Sequence, residues 1–244
     1  MKNTIKSFAK KIPVVSHSYR LVRNAFLSRL PKPSTEAIFT NIYKQNLWGG
    51  TCSVSGGGSE QDQTGKLTRE LSVLIKELEI STMLDIPCGD FNWMSKVDLT
   101  GVKYTGADIV KDLIRDNVKY QRPDVDFIYA NLITDRLPKV DLVFCRDCLV
   151  HFSYADIVRA LKNVCGSGST YLLTTTFPER IENRDIGTGG WRPLNLEIEP
   201  FRFPAPLRIL VEGCTENDGM YKDKSMGLWR ISEIEKSMPD SLLP

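Results

Sequence analysis

Short apolar segments alternate with amphipathic helical patterns from residue 81 onward, and this alternation constrains the fold more than any other feature of the sequence. It predicts a mostly parallel sheet with helices on both faces. Two later apolar segments have no helix between them, so they predict an antiparallel pair at one edge. The predicted strands are residues 82–86, 103–108, 126–129, 141–145, 169–176, 207–212 and 226–231, and the helices predicted among them are residues 110–120 and 153–164.

The region before the first strand predicts two helices separated by a polar loop. The sequence STEAIFTNIYKQNLWGG, residues 34–50, is typical of a helix that ends near Trp48. Residues 51–64 are small and polar, and Thr64 then offers an N-cap for an amphipathic helix over residues 64–79. Ser153 offers the same kind of N-cap for the helix after the fourth strand.

Composition limits the class of protein. The 244 residues are enough for one α/β domain with an extension, and a hydrophobic fraction of 41% is ordinary for a globular protein. No apolar run reaches the ~18–20 residues of a membrane span. The six cysteines are scattered rather than arranged as a secreted disulfide framework, and no signal-peptide core precedes them. A cytoplasmic location is therefore predicted.

Charge divides the chain into a basic extension, residues 1–33, and a domain, residues 34–244. Residues 1–32 carry eight lysine and arginine residues and no acid, and apolar residues recur there every three or four positions. Such a segment packs on the domain or on a partner, lies peripherally on an anionic membrane, or serves as a targeting peptide. The rest of the chain is net acidic, which argues against a nucleic-acid partner.

The sequence LDIPCGDFNW, residues 84–93, places an acid inside the first strand and a tight turn directly after it. Ligands of open α/β sheets bind beyond the carboxyl ends of the strands, where this turn is expected. A dinucleotide site favours G-x-G-x-x-G, but Pro87 replaces the first glycine and no third glycine follows. Asp85 and Asp90 would repel a pyrophosphate and attract a cationic ligand.

This turn resembles motif I of the class I S-adenosylmethionine-dependent methyltransferases, whose ligand carries a positive amino group and a sulfonium. The resemblance implies a Rossmann-like class I methyltransferase sheet, mostly parallel with an antiparallel edge strand and with helices on both faces. It makes Gly89 the residue that lets the ligand approach the backbone. It makes Asp108, at the end of the second strand, the acid that binds the ribose hydroxyls. The other cofactor-binding residues implied are Trp48, Ser55, Gly56, Asp85, Pro87, Cys88, Asp90, Ile109, Asn131, Leu132 and Arg146.

Longer sequences narrow the resemblance. CRDCLVHFS and GGWRPLNLE, with the regions already quoted, are similar to a methyltransferase group associated with glycan assembly. This implies methylation of a sugar oxygen in a glycan or glycolipid. It also implies that the loop at residues 55–59 folds with Trp48 over the cofactor.

Three residues after the fourth predicted strand are candidates for the chemistry. Arg146, Asp147 and His151 would lie beside the transferred methyl group, and a sugar hydroxyl needs a nearby base because it is a poor nucleophile. His151 is a candidate base because a neutral imidazole accepts a proton near pH 7, and Asp147 is the other candidate. Alternatively, Asp147 only pairs with Arg146, and His151 only packs.

The sequence offers little for a metal. Cys145 and Cys148 form a single C-x-x-C pair, which is too little for a zinc site, so no metal site is predicted. A divalent cation held by Asp147 and Asp185 stays open as an alternative.

Residues 183–206 form a long connection rich in glycine, proline and aromatic residues, which is typical of a functional loop. Aromatic faces stack on sugar rings, and polar side chains bond hydroxyl groups. Asp185, Trp191, Arg192 and Asn195 are therefore predicted to bind a small-molecule or glycan acceptor. The alternative is a structured lid with a small core of its own.

Together these features predict methyl transfer from S-adenosylmethionine to an acceptor hydroxyl, with a sugar as the favoured acceptor. Another small molecule or a protein side chain is the alternative acceptor. A nicotinamide-dependent oxidoreductase or epimerase is a rival that the turn at residues 87–90 disfavours. A catalytically inactive scaffold that still binds the cofactor is a third hypothesis.

Overall fold

The computed structural model describes residues 33–237, so the predicted basic extension lies outside the described residues. Seven strands form one sheet in the order β3-β2-β1-β4-β5-β7-β6. The strands are β1 Thr82–Asp85, β2 Lys103–Asp108, β3 Val125–Tyr129, β4 Leu142–Cys145, β5 Tyr171–Thr176, β6 Arg208–Val211 and β7 Ser225–Arg230. The helices are α1 Thr35–Lys44, α2 Gln61–Glu77, α3 Lys111–Asn117, α4 Tyr154–Gly166 and α5 Ile231–Ser237. Short 3-10 turns lie at Gly57–Ser59, Met94–Lys96, Val118–Tyr120 and Leu149–His151, and a four-residue helical turn at Glu216–Gly219.

The order of the strands fixes where a ligand is expected. Strands β1 to β5 are parallel, and β1 pairs with β2 on one side and with β4 on the other. The chain therefore reverses its direction across the sheet between β1 and β4, which is the switch point where open sheets bind ligands. Strand β7 is antiparallel to both β5 and β6, and β6 is the edge strand. The predicted mostly parallel sheet with an antiparallel pair at one edge is confirmed.

The central strands are apolar on both faces because helices cover both. On one face, Met83, Leu142 and Phe144 pack with the apolar side of α2. On the other face, Leu84 and Val143 pack with α4 and α5. The near-continuous apolar runs of the sequence follow from this double burial.

The helix boundaries differ from the prediction at the end of α1, which is Lys44 rather than near Trp48, and at the start of α2. Helix α2 begins at Gln61 rather than at residue 64, and the hydroxyl of Thr64 donates to the carbonyl of Glu60 inside the first turn. The N-cap position is Glu60, whose carboxylate instead accepts from two loop amides, so Thr64 as the cap was wrong. Ser153 as the N-cap of α4 is confirmed, because its hydroxyl accepts from the amide of Asp156.

Among residues 33–237, no helix combines the length and the apolar character that crossing a bilayer requires.

Candidate functional site

Strand β1 ends with a buried acid at the carboxyl edge of the sheet. Asp85 is 2% exposed, and its carboxylate accepts from the hydroxyl of Tyr104 at 2.6 Å. Burial raises the pKa of Asp85 to about 8, because a charge is poorly solvated there. A buried acid of this kind favours a cationic group beside it.

The turn itself approaches a neighbouring loop closely. Gly89 has a φ of +54°, a conformation in which a glycine carries no steric cost. A Cβ at Gly89 would lie 2.3 Å from the Oγ of Ser55, so a side chain there would push the loop away. The sequence predicts that Gly89 lets a ligand approach the backbone, and the structure shows that its missing side chain makes room for Ser55.

A second acid lies at the end of β2, beside this turn. Asp108 accepts from the amide of Gly89 at 3.1 Å and from the amide of Val110 at 2.8 Å. Burial raises its pKa to about 6, although these amide bonds favour the charged form. The two acids of neighbouring strands therefore meet at one edge of the sheet.

A cleft of about 1040 Å³, including its solvent-open mouth, lies at this edge. This is the size of clefts that bind small molecules. The structure brings together here all the predicted cofactor-binding residues except Gly56. They are Trp48, Ser55, Asp85, Pro87, Cys88, Gly89, Asp90, Asp108, Ile109, Asn131, Leu132 and Arg146. Asp147 and His151 also line this cleft, which we call the first cavity.

Helix α1 and the loop after it cover the first cavity. Phe39 of α1 lines the cavity and lies 6.1 Å from the Trp48 ring, measured between ring centroids. The loop is held in place because the amide of Val54 donates to Asp90 at 3.1 Å. Glu60 also accepts from the amide of Thr51 at 2.7 Å. The small polar residues at 51–64 are thus an ordered cover, and the part of α1 in that cover was not predicted.

Four charged side chains, three buried and one partly exposed, form a network between the cavity and the antiparallel edge. Arg146 binds Glu212 at 2.6 Å and Asp147 at 3.2 Å, and it also donates to the carbonyl of Gly58 at 2.8 Å. Lys224 donates to Asp147 at 2.7 Å. The donors of Arg146 are therefore used to hold the cover loop and two acids in place.

Glu212 and Lys224 were not among the predicted site residues. Glu212 follows β6 and Lys224 precedes β7, so they are far from Arg146 in sequence. The amide of Glu212 donates to the carbonyl of Lys224 at 3.0 Å, which extends the pairing of β6 with β7 and sets both side chains side by side. Only this long-range pairing brings them to the site, and no local motif signals it.

The neighbouring cations keep Asp147 charged. Burial alone would raise the pKa of Asp147, but Lys224 and Arg146 outweigh it and lower the pKa to about 2. Burial opposes the charge of Lys224 as well, yet Asp147 and Glu212 raise its pKa.

Among residues 33–237, no cluster of three histidine, cysteine or acidic side chains is arranged to hold a metal ion. Asp185, the suggested second ligand, accepts from the amide of Tyr154 at 2.7 Å.

His151 lies at the boundary of the first cavity, in the 3-10 turn after β4. Its Nδ1 lies 2.7 Å from the carbonyl of Gly190. A carbonyl only accepts, so we assign the hydrogen to Nδ1, which leaves the lone pair on Nε2. Burial lowers the pKa of His151, and its ring packs against Trp48 at 4.8 Å between centroids. His151 is therefore neutral at pH 7 with one acceptor nitrogen.

A second cavity adjoins the first and shares with it the residues Trp48, Ser55, Asp147 and His151. Its wall contains Trp191 and Tyr221, whose ring centroids are 4.8 Å apart, and Phe177 lies edge-on to both. Lys224 and Glu216 add charged groups to the lining, and Gly56 lies here rather than in the first cavity. The second cavity thus combines aromatic surfaces with charged hydrogen-bonding groups.

Of the four predicted acceptor-binding residues, the structure brings only Trp191 to a cavity. Arg192 is fully buried and donates to two backbone carbonyls. The amide of Asn195 donates to the carbonyls of Pro178 and Arg180. Asp185, Arg192 and Asn195 use their polar atoms to hold the loop in shape, as the structured-lid alternative anticipated.

No protein-family model and no curated protein matches the sequence. The structure is similar to the 1,6-didemethyltoxoflavin-N1-methyltransferase of Burkholderia thailandensis, solved with bound 1,6-didemethyltoxoflavin and S-adenosylhomocysteine. The two sequences are 14% identical over 82% of this chain and 92% of that chain, with a TM-score of 0.58. The fold is that of the class I methyltransferases.

Two other solved structures overlap less. Human N-acetylserotonin methyltransferase in complex with SAM is 17% identical over 59% of this chain and 42% of that chain, with a TM-score of 0.44. The cyclase SpnF is 17% identical over 69% of this chain and 71% of that chain, with a TM-score of 0.49. This chain spans 42–66% of the length of the human enzyme and four further matched structures.

Proposed function

We propose that this protein transfers a methyl group from S-adenosylmethionine to a hydroxyl of a small acceptor, with a sugar of a glycan or glycolipid as the favoured acceptor. The observation that carries the proposal is the pair of buried acids, Asp85 and Asp108, at the switch point of the sheet. Both have a raised pKa and both line the first cavity. A cationic nucleoside suits such a site, whereas a pyrophosphate does not.

The residues of the first cavity fit S-adenosylmethionine. Asp108 is held by the amides of Gly89 and Val110, so its carboxylate is positioned to accept from ribose hydroxyls. Asp85 lies next to it and would face the positive part of the ligand. The backbone at Gly89 has no side chain to block close approach. Asn131 and Leu132, at the far side, would contact the adenine.

The chemistry needs positioning and a proton acceptor. When bound, S-adenosylmethionine supplies an electrophilic methyl group. The Nε2 of His151 would accept the proton that the acceptor hydroxyl loses when the methyl group passes from the cofactor sulfur, whose bond to that carbon breaks, to the acceptor oxygen. The histidine is left protonated, and Asp147 nearby, which stays ionised, stabilises that positive charge. Trp48 and the cover loop exclude water from the two cavities.

The second cavity supports a hydroxyl-bearing ring as the acceptor. The faces of Trp191 and Tyr221 provide apolar surface for a ring, and Trp191 is 39% exposed and therefore accessible. Lys224 can donate to a hydroxyl, and Asp147 can accept from one. Asp147, Glu212 and Glu216 carry one more charge than Arg146 and Lys224 at this site, which disfavours an anionic acceptor.

A transfer assay tests the proposal. The full chain is incubated with S-adenosylmethionine labelled in its methyl group and with separate panels of free sugars, lipid-linked sugars, phenols and amines. We expect label in a sugar fraction, as a methyl ether. Label only in amines would move the acceptor to nitrogen, and turnover of NAD with no methyl transfer would replace the proposal by the oxidoreductase.

A further inference from the structure

We infer that Arg192 is a positioning residue that fixes the turn carrying His151, so that Nε2 of His151 faces the cavities. The role of His151 as the base rests on the proposed function, but the positioning itself does not. The sequence predicts that Arg192 binds an acceptor, but in the structure its side chain contacts the turn that carries His151.

Arg192 spans the turn from both ends. Its Nη1 donates to the carbonyl of Leu149 at 2.8 Å, and its Nη2 donates to the carbonyl of Phe152 at 2.9 Å. Its own amide donates to the carbonyl of Val150 at 3.2 Å. The planar fork of a guanidinium holds two carbonyls at a fixed separation, which a lysine cannot do.

The residues just before Arg192 also form hydrogen bonds with the turn that carries His151. The amide of Gly189 donates to the carbonyl of His151 at 2.9 Å, and the carbonyl of Gly190 accepts from Nδ1 of His151. The hydroxyl of Thr188 accepts from the amide of Ser153 at 3.0 Å. We call residues 188–192 the brace, since they form a hydrogen bond with every residue from 149 to 153.

The brace is packed too tightly to move freely. Gly189 has a φ of +96°, and a Cβ there would lie 2.6 Å from Cγ2 of Ile38 in α1. The brace therefore lies between α1 and the turn. The carbonyl of Gly190, which selects the tautomer of His151, is held at a fixed place.

The burial of Arg192 is costly, which indicates a specific role. Its side chain is fully buried, and no carboxylate of residues 33–237 lies within salt-bridge distance of it. Its Nε has no hydrogen-bond partner among those residues. A buried guanidinium without an acid partner destabilises a fold unless its other bonds compensate. Here those bonds are to the two carbonyls at the ends of the His151 turn, beside the ring of Tyr154 at 5.8 Å.

Imidazole NMR tests the inference without any substrate. The chain has two histidines, so a His17→Gln background leaves His151 as the only imidazole signal. In that background we expect the Nδ1–H tautomer and a pKa below 6.5 for His151. Arg192→Met should give a mixture of tautomers and a pKa that rises toward 6.5, and Arg192→Lys should restore part of the original signature. An unchanged tautomer and pKa in folded Arg192→Met would overturn the inference.

Two further variants serve as a control and as a substitute for Arg192→Met. Arg230→Met removes an arginine that stacks on Tyr171 away from the turn, and its His151 signals should match those of the background. If Arg192→Met does not fold, Thr188→Val decides, because it removes only the two bonds of one hydroxyl, which accepts from the amide of Ser153 and donates to the carboxylate of Asp156. We expect the same direction of change in Thr188→Val, and no change there would contradict the brace.

Calorimetry separates this inference from the proposed function. Arg192 lines neither cavity, so Arg192→Lys should bind S-adenosylmethionine within about threefold of the wild type. A wild type that binds no S-adenosylmethionine would refute the proposed function, while the imidazole spectra would still decide the positioning. A large loss of affinity in Arg192→Lys would contradict a role confined to the His151 turn.

Discussion

Asp85 is an acid in an apolar strand, so the stability of the ligand-free protein should depend on its ionisation. The folded-state pKa of about 8 lies above the unfolded value of 3.8, so the folded state binds the proton more tightly. Stability from this group is therefore present at low pH and is lost as the pH rises from about 4 to 8. Asp108, with a pKa of about 6, adds a loss of the same sign.

We predict that Asp85→Asn is more stable than the wild type at pH 8 by about 1 kcal/mol or more, or roughly 2–4 °C in Tm, and nearly equal at pH 4. The amide oxygen still accepts from Tyr104, so that contact is kept. Thermal unfolding at pH 4, 6 and 8 measures this. The control is Asp126→Asn, which changes an exposed acid on β3 and should keep the wild-type dependence of Tm on pH. If Asp85→Asn also kept the wild-type dependence of Tm on pH, the account would be contradicted.

His151 should control the rate rather than the binding of the cofactor. His151→Gln is expected to lower kcat by about 10²–10⁴-fold, the usual contribution of a general base. Its lowered pKa predicts a wild-type kcat that stays level down to pH 6.5 and declines only below it, as the imidazole becomes protonated. A kcat–pH profile at saturating S-adenosylmethionine measures both, and an unchanged kcat in the variant would eliminate His151 as the base.

At the scale of elements, the turn after β1 and the cover loop pack closely where Gly89 meets Ser55. Gly89 and Gly101 both have positive φ, but a Cβ at Gly89 would meet Ser55, whereas one at Gly101 would have no atom within 4 Å among the described residues. Both alanine variants should therefore lose about 1–2 kcal/mol from backbone strain.

Only Gly89→Ala should also displace the cover loop, and we predict at least a tenfold loss of affinity for S-adenosylmethionine in that variant. Gly101→Ala should bind like the wild type. Calorimetry of both variants makes the comparison. Equal affinities in the two variants would show that the contact of Gly89 with Ser55 does not matter for the site.

The elements were predictable where local patterns determine them. Short apolar runs identified all seven described strands, and in the central strands these runs are near-continuous because both faces of the sheet are buried there. The start of α2 was not predictable, because Glu60 is not a favoured cap and its carboxylate bonds to Thr51 and Cys52 instead. The segment 110–120, predicted as one helix, divides into α3 and a 3-10 turn at Val118–Tyr120.

At the scale of the whole molecule, the site collects residues that lie far apart in the sequence. The motif after β1 and the acid after β2 were visible locally, since each ends a strand. Lys224 and Glu212 reach Asp147 and Arg146 only through the pairing of β6 and β7. Phe39 reaches the cavity only because α1 folds over it. Most residues that line the first cavity near β1 and β2 were thus predictable from the sequence, and the polar network beside them was not.

The central claim is that the cleft at the switch point binds S-adenosylmethionine through Asp108. Titration calorimetry of the full chain tests it, with Asp108→Asn as the variant and Asp126→Asn, on the neighbouring strand, as the control. We predict saturable 1:1 binding to the wild type and the control, and at least tenfold weaker binding to Asp108→Asn, about 1.4 kcal/mol or more. Absence of binding to the wild type, or equal affinity in Asp108→Asn, would contradict the account.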